Sequence, residues 1–373
     1  MMLPDIDWKS HLTEEVQQSK EAIRRFWFDQ EGAGRPLLSL RYENFADGIS
    51  VKDTIENDEL DLRLQLKYND DVLRYRSDYV PRLSPYTGST ALASAFGAQI
   101  VYPDDNQPTC LPVILQAEDA YRIEKPDVMT ADLGRVFEKT SYFLEQTGGQ
   151  YPITIFDFQS PYDTVHLLWN HETFFTDLVL NPEPVLHLLD IVTDLTIEAG
   201  LKLRDMIPEF AAGHCPSVWI PGEAGITMPL DSMVNISPQM FRQFIAPSLE
   251  KISDAFGGLI VHSCGNWTHH REELKRIPGL KGVNFGAGEM MIEDVVEVFD
   301  AESGVKIIPH IGLNLPRTYR SNTEFIGHML DVVPNHNDLF MLCWADDLNP
   351  NTPWKHEEYN DVRAFYNQFG YDW

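Results

Sequence analysis

From about residue 150 onward the chain alternates short apolar, β-branched runs with longer stretches patterned as amphipathic helix. The runs are PITIFDF (152–158), PSVWIP (216–221), GLIVHSC (258–264), GVNFG (282–286), KIIPHIG (306–312) and LFMLCW (339–344). Apolar runs of this length suit strands buried on both faces, and strands separated by helices pair in parallel. The stretches between them carry helix-entry signals: Ser237-Pro238 opens SPQMFRQFIAPSLEKISDAF with a capping hydroxyl and a proline in the first turn. Upstream, PLLSLRY (36–42) and LPVILQ (111–116) bring the expected strands to eight, the number that closes a (β/α)8 TIM-type barrel. The expectation is an α/β chain with one barrel domain over residues 36–373, preceded by an N-terminal helical extension over 1–35. An open doubly wound sheet is the weaker alternative, because no GxGxxG follows an early strand.

Asp and Glu number 57 against 29 Lys and Arg, a net charge of −28 that repels a phosphate backbone or an anionic membrane surface. Nucleic acid is not an expected partner. No segment approaches the roughly 18 uncharged apolar residues a membrane span requires, and MMLPDIDWKSHLTEE has no signal-peptide pattern, so a cytoplasmic location is expected. Cysteines stand only at 110, 215, 264 and 343, too dispersed for a disulfide scaffold or a CxxC motif; reduced thiols are expected.

The chemistry concentrates at LIVHSCGN, where polar His262 and Cys264 close an apolar run. Residues two apart on a strand share a face about 6.5 Å apart, so both side chains can grip one ion. Cys343 ends the last expected strand, giving H-x-C-x78-C, and a barrel gathers strand ends at one mouth. Two thiolates and an imidazole select zinc over magnesium or calcium and leave a fourth position for substrate. Spacing alone leaves an alternative open, since free cysteines are often simple core residues. His214-Cys215 is a decoy: neighbours on an extended chain face opposite sides, and Cys215 and Cys110 are assigned to packing.

GEAGITMPLDSMVNISPQMFRQFIAPSLEKI followed by GLIVHSCGN resembles the uroporphyrinogen decarboxylase superfamily, as do STALASAFGAQI, FDFQSPYDTVHLLW, IPHIGLNLP and LFMLCWADDLNPNTPWKHEEYN. The H-x-C…C arrangement is similar to that of the branch of zinc-dependent methylcobalamin:thiol (coenzyme M-type) methyltransferases. That resemblance implies zinc on His262, Cys264 and Cys343, a corrinoid as substrate or on a partner protein, and a thiol as methyl acceptor. The decarboxylases' arginine motif is represented only by Arg41 in LSLRYENFADG, and Trp344-Ala345-Asp346 replaces a Gly-rich loop after Cys343.

Further candidates for catalysis or substrate binding are Glu223, matched to the family's acidic position, and His310, which closes KIIPHIG. Asp157 and Gln159 end PITIFDF, and Asn284 lies within GVNFG. Phe156, Phe158, Trp169, Trp219, Trp267 and Trp344 stand near expected strand ends, where ordinary packing outweighs a corrinoid pocket as their explanation. The expected function is methyl transfer between a corrinoid and a thiol. The alternatives are corrinoid-dependent demethylation of a small methylated compound, a metal-free decarboxylase-like enzyme, and a barrel kept only for binding.

Overall fold

The structure is a computed structural model, described over residues 6–41, 49–103, 107–311, 319–344 and 354–371. Parts of LSLRYENFADG, IPHIGLNLP and the segment after Trp344 therefore lie outside the described residues. Eight strands form the parallel framework: β1 (Leu37–Arg41), β2 (Ile153–Thr154), β3 (Phe210–Ala211), β4 (Ile226–Pro229), β5 (Leu259–Ser263), β6 (Leu280–Gly286), β7 (Lys306–His310) and β8 (Phe340–Trp344). Six of them make one sheet in the order β1-β8-β7-β6-β5-β4, and β2 pairs with β3. Backbone hydrogen bonds carry the ring between these two pieces. Asp78 donates to Leu38 at 2.8 Å, Thr154 to Leu83 at 2.8 Å, Ile155 to Ala211 at 3.0 Å and Thr227 to Ala212 at 3.2 Å. The result is a barrel-type α/β fold with its strands buried on both faces.

Two expected strands differ. PSVWIP is a buried connection: Val218, Trp219 and Ile220 are core residues, but only Pro221 makes a bridge, antiparallel, to Ala211. The strand at this place in the ring is β4, ten residues on from PSVWIP's start. LPVILQ contributes a single bridge, Ile114 to Trp169. An apolar run reports burial, and burial alone does not distinguish a strand from a packed loop.

Helix α1 (Glu14–Phe28) occupies the N-terminal extension. Thr13 caps it by accepting from the Val16 amide, and Val16, Ser19, Ile23 and Phe26 form its buried stripe. Phe26 meets Phe340 edge-on at 5.8 Å, and the Lys306 ammonium lies over the same ring. These are the first residues of β8 and β7, so α1 lies across the N-terminal end of the barrel. Burying Ile23 and Phe26 contributes about 1.5–3 kcal/mol each, and Phe26→Ala is the single change that would most loosen the helix.

Helix α2 (Ala246–Phe256) stops at Gly257, whose φ of +74° is the left-handed cap that turns the chain into β5. At the start of β4 and β5 the backbones nearly touch: a Cβ on Gly225 would stand 2.4 Å from the Gly258 carbonyl oxygen. Only glycine permits that approach, which sets where β4 ends relative to β5. Pro229 is then level with His262.

Candidate metal centre

Strand β5 delivers His262 to the C-terminal end of the barrel, and the chain then leaves the sheet through Cys264 and Gly265. His262 Nε2 and Cys264 Sγ are 3.3 Å apart. Zinc bonds of about 2.0 and 2.3 Å at a tetrahedral angle place two such donors about 3.5 Å apart, so this separation suits a shared ion. Asp231 opens the 3-10 turn after β4, and its Oδ1 accepts from the Cys264 amide at 2.6 Å and lies 3.9 Å from His262 Nε2. One ligand atom from each of Asp231, His262 and Cys264 lies within 4.8 Å of the others, the one such group among the described residues.

The hydrogen bonds behind His262 set its tautomer. Asn284, level with it on β6, donates its amide to the Ile308 carbonyl and therefore turns its oxygen to His262 Nδ1, 2.5 Å away. Nδ1 must then carry the proton, leaving the Nε2 lone pair aimed at Cys264 and Asp231. The Cys264 thiol is pushed up to about 12 by burial, with the Asp231 and Glu289 carboxylates adding to the effect. Glu289 sits close because its Oε2 accepts from the Gly265 amide at 2.8 Å. A cation among these groups would reverse that trend, favouring the thiolate and the carboxylate together. The N/S/O donor set fits zinc and is unsuited to magnesium or calcium.

Cys343 requires a correction. Paired residues of neighbouring parallel strands share a face, and the register runs His262–Asn284, Asn284–Ile308 and, two residues on, His310–Leu342. Leu342 therefore shares the face of His262, and Cys343 points the other way, away from the interior and buried. Burial pushes its thiol well above the ordinary range. The sequence gathered Cys343 with the pair because it ends a strand; the register turns its side chain through the sheet.

Glu223 requires another. It precedes β4, is exposed, and pairs with Arg24 of α1 at 3.2 Å, which places it at the opposite end of the barrel from His262. Once PSVWIP is replaced by β4 as the strand, the acid following the strand end is Asp231. The signal was present in ITMPLD and was missed because the strand was placed too early.

The other candidates line the interior near the cluster. His310 stacks against His262 with ring centroids 6.0 Å apart, and burial, then the neighbouring His262, push its imidazole down to about 3. Gln159 donates to Asp157 Oδ1 at 2.7 Å, and His214 Nε2 lies 3.4 Å from the same oxygen. Burial raises the Asp157 carboxyl, but His214, Gln159 and His262 outweigh it, so Asp157 titrates below the usual range. Of the aromatic set, Trp344 stands beside His310 at 6.0 Å. Phe156, Phe158, Trp169 and Trp267 are buried in the core, and Trp219 lies under Lys20 and Arg24 of α1.

Residues 43–207 match the model of the uroporphyrinogen decarboxylase family. The matched segment includes Asp157 and Gln159 and ends before the strand that carries His262. No curated protein matches the chain in sequence. Among solved structures, a methyltransferase from Methanosarcina mazei is similar, with a TM-score of 0.65 at 18% identity, covering 98% of this chain and 100% of that one. At that identity the likeness establishes the fold, over nearly the whole chain. Among the described residues no helix is long and apolar enough to cross a membrane.

Proposed function

We propose that this chain is a zinc-dependent methyltransferase that moves a methyl group between a corrinoid, free or on a partner protein, and a thiol. The observation that carries the reading is the cluster at the ends of β4 and β5. There, one imidazole with a fixed tautomer, one thiol and one carboxylate face a common point. The similarity in fold to a methyltransferase supports the same reading. Asp231 stands where Cys343 was expected, and the charge balance is the same: a thiolate and a carboxylate would still neutralise a divalent ion.

A zinc ion held by Asp231, His262 and Cys264 would supply Lewis acidity and lower the pKa of a substrate thiol. The chain's own contribution is orientation. Asn284 fixes the His262 ring, the Cys264 amide fixes Asp231, and Glu289 anchors the turn at Gly265. Trp344 and His310 wall the interior beside the cluster.

The test is metal content of protein purified without chelator, followed by methylcobalamin absorbance in the presence of small thiols. Zinc near one equivalent is expected, lost in His262→Ala, Cys264→Ser and Asp231→Asn, with demethylation only when both zinc and thiol are present. Zinc-loaded protein that consumes no methylcobalamin with any of several thiols would refute the assignment.

A further inference from the structure

We propose that His214, oriented by Asp157, is the base that takes the proton from the substrate thiol; this rests on the thiol reading above. His214 follows β3 and Asp157 follows β2, adjacent strands whose C-terminal ends open on the same interior as His262. Asp157 lies within electrostatic range of His262. Both side chains keep some exposure, 20% for His214 and 11% for Asp157, so the pair is accessible from the mouth.

The imidazole is held from three sides. Its backbone amide donates to Thr227 Oγ1 of β4 at 3.0 Å, and that hydroxyl donates in turn to the Ala212 carbonyl at 2.9 Å. The Tyr86 ring lies parallel to it within 10°, centroids 6.4 Å apart. Nε2 faces Asp157 Oδ1 at 3.4 Å, and the Gln159 amide donates to the same oxygen at 2.7 Å. The titratable groups facing the ring are therefore Asp157 and the Tyr86 phenol, with His262 beyond Asp157. Tyr86 stays neutral, because burial and then Asp157 push its phenol upward.

An ionised carboxylate opposite Nε2 selects the tautomer with the proton on Nε2 and leaves the lone pair on Nδ1, which bonds to nothing among the described residues. That is how a carboxylate-oriented histidine serves as a general base. In the step, the thiol S–H bond breaks, its electron pair stays on sulfur and the proton passes to His214 Nδ1, giving an imidazolium opposite Asp157. The sulfur pair then forms the S–CH3 bond as the carbon–cobalt bond breaks with its pair left on cobalt. The proton returns to solvent from His214. His214 was set aside in the sequence as half of a decoy pair with Cys215; the fold gives it a different partner.

The experiment measures 2-mercaptoethanol binding to cobalt(II)-loaded protein by its thiolate-to-cobalt absorption, as a function of pH and without turnover. If His214 keeps the proton, wild-type affinity changes by less than about threefold between roughly pH 6.5 and 8, because no net proton is released. In His214→Gln, with unchanged circular dichroism and metal content, affinity should climb about tenfold per pH unit, the signature of one proton lost to solvent. Asp157→Asn, which retains a partner for Gln159, should give an intermediate slope. Equal slopes in wild type and His214→Gln would overturn the proposal while leaving the thiol reading intact. Absence of a thiolate band in every cobalt-loaded form would overturn the thiol reading, and this role with it.

Discussion

Cys343→Ala separates what the strand pattern suggests from what the register decides. The side chain is buried, on the face of β8 opposite His262, and outside the group formed by Asp231, His262 and Cys264. Removing the sulfur forfeits burial comparable to a methylene, about 0.8 kcal/mol. A sulfur-sized void at about 24 cal/mol per Å³ adds roughly 0.5 kcal/mol. The expected loss is about 1.3 kcal/mol of stability, which lowers the melting temperature by about 1–4 °C in a chain of this length. Metal affinity should stay within about threefold of wild type, whereas loss of a true ligand exceeds the 10–100-fold typical of second-shell losses. The assay is zinc competition against a chromophoric chelator, alongside calorimetry on the metal-free protein. A hundredfold loss of zinc affinity in Cys343→Ala, with Asp231→Asn unaffected, would show that the register argument fails and that the thiol reaches the ion.

Asn284→Leu removes the acceptor that fixes the His262 tautomer and should weaken zinc binding about 10–100-fold with little change in secondary structure, read by the same competition assay. Glu223→Gln should leave metal content and turnover at wild-type levels and cost less than about 1 kcal/mol in a urea titration, since its partner is an exposed Arg24. Acid should destabilise the protein through the half-buried His166 and the buried His270: desolvation pushes both down to about 4. Their folded values lie below the unfolded 6.5, so their neutral forms are fully compatible with the fold above pH 6.5, and stability falls as pH drops from 6.5 through 4. The loss is on the order of 2 kcal/mol for His270 and smaller for the solvent-screened His166, and the urea midpoint of His166→Gln/His270→Gln should fall less between pH 7 and 4.5 than that of wild type.

The chain's own letters determined the alternation of strands and helices and the H-x-C pair. Both are local properties: an apolar run reports burial, and residues two apart on a strand share a face whatever the rest of the fold does. The two do come together, His262 Nε2 and Cys264 Sγ standing 3.3 Å apart, although Cys264 lies just past the end of β5. The N/S chemistry that points to zinc is equally a matter of residue type. What the sequence could not carry was register and phase between distant strands. Cys343 and Leu342 are neighbours in the chain, yet the level at which β8 meets β7 decides which of them faces His262. Moving the strand from PSVWIP to ITMP likewise exchanges Glu223 at one end of the barrel for Asp231 at the other. The Asn284 support and the His214–Asp157 pair join residues 22 and 57 positions apart, through side-chain contacts that exist only once the strands are aligned. Hydrogen bonds between distant strands are settled by packing the whole barrel, so the candidate residues came partly from the sequence and their geometry came from the tertiary structure.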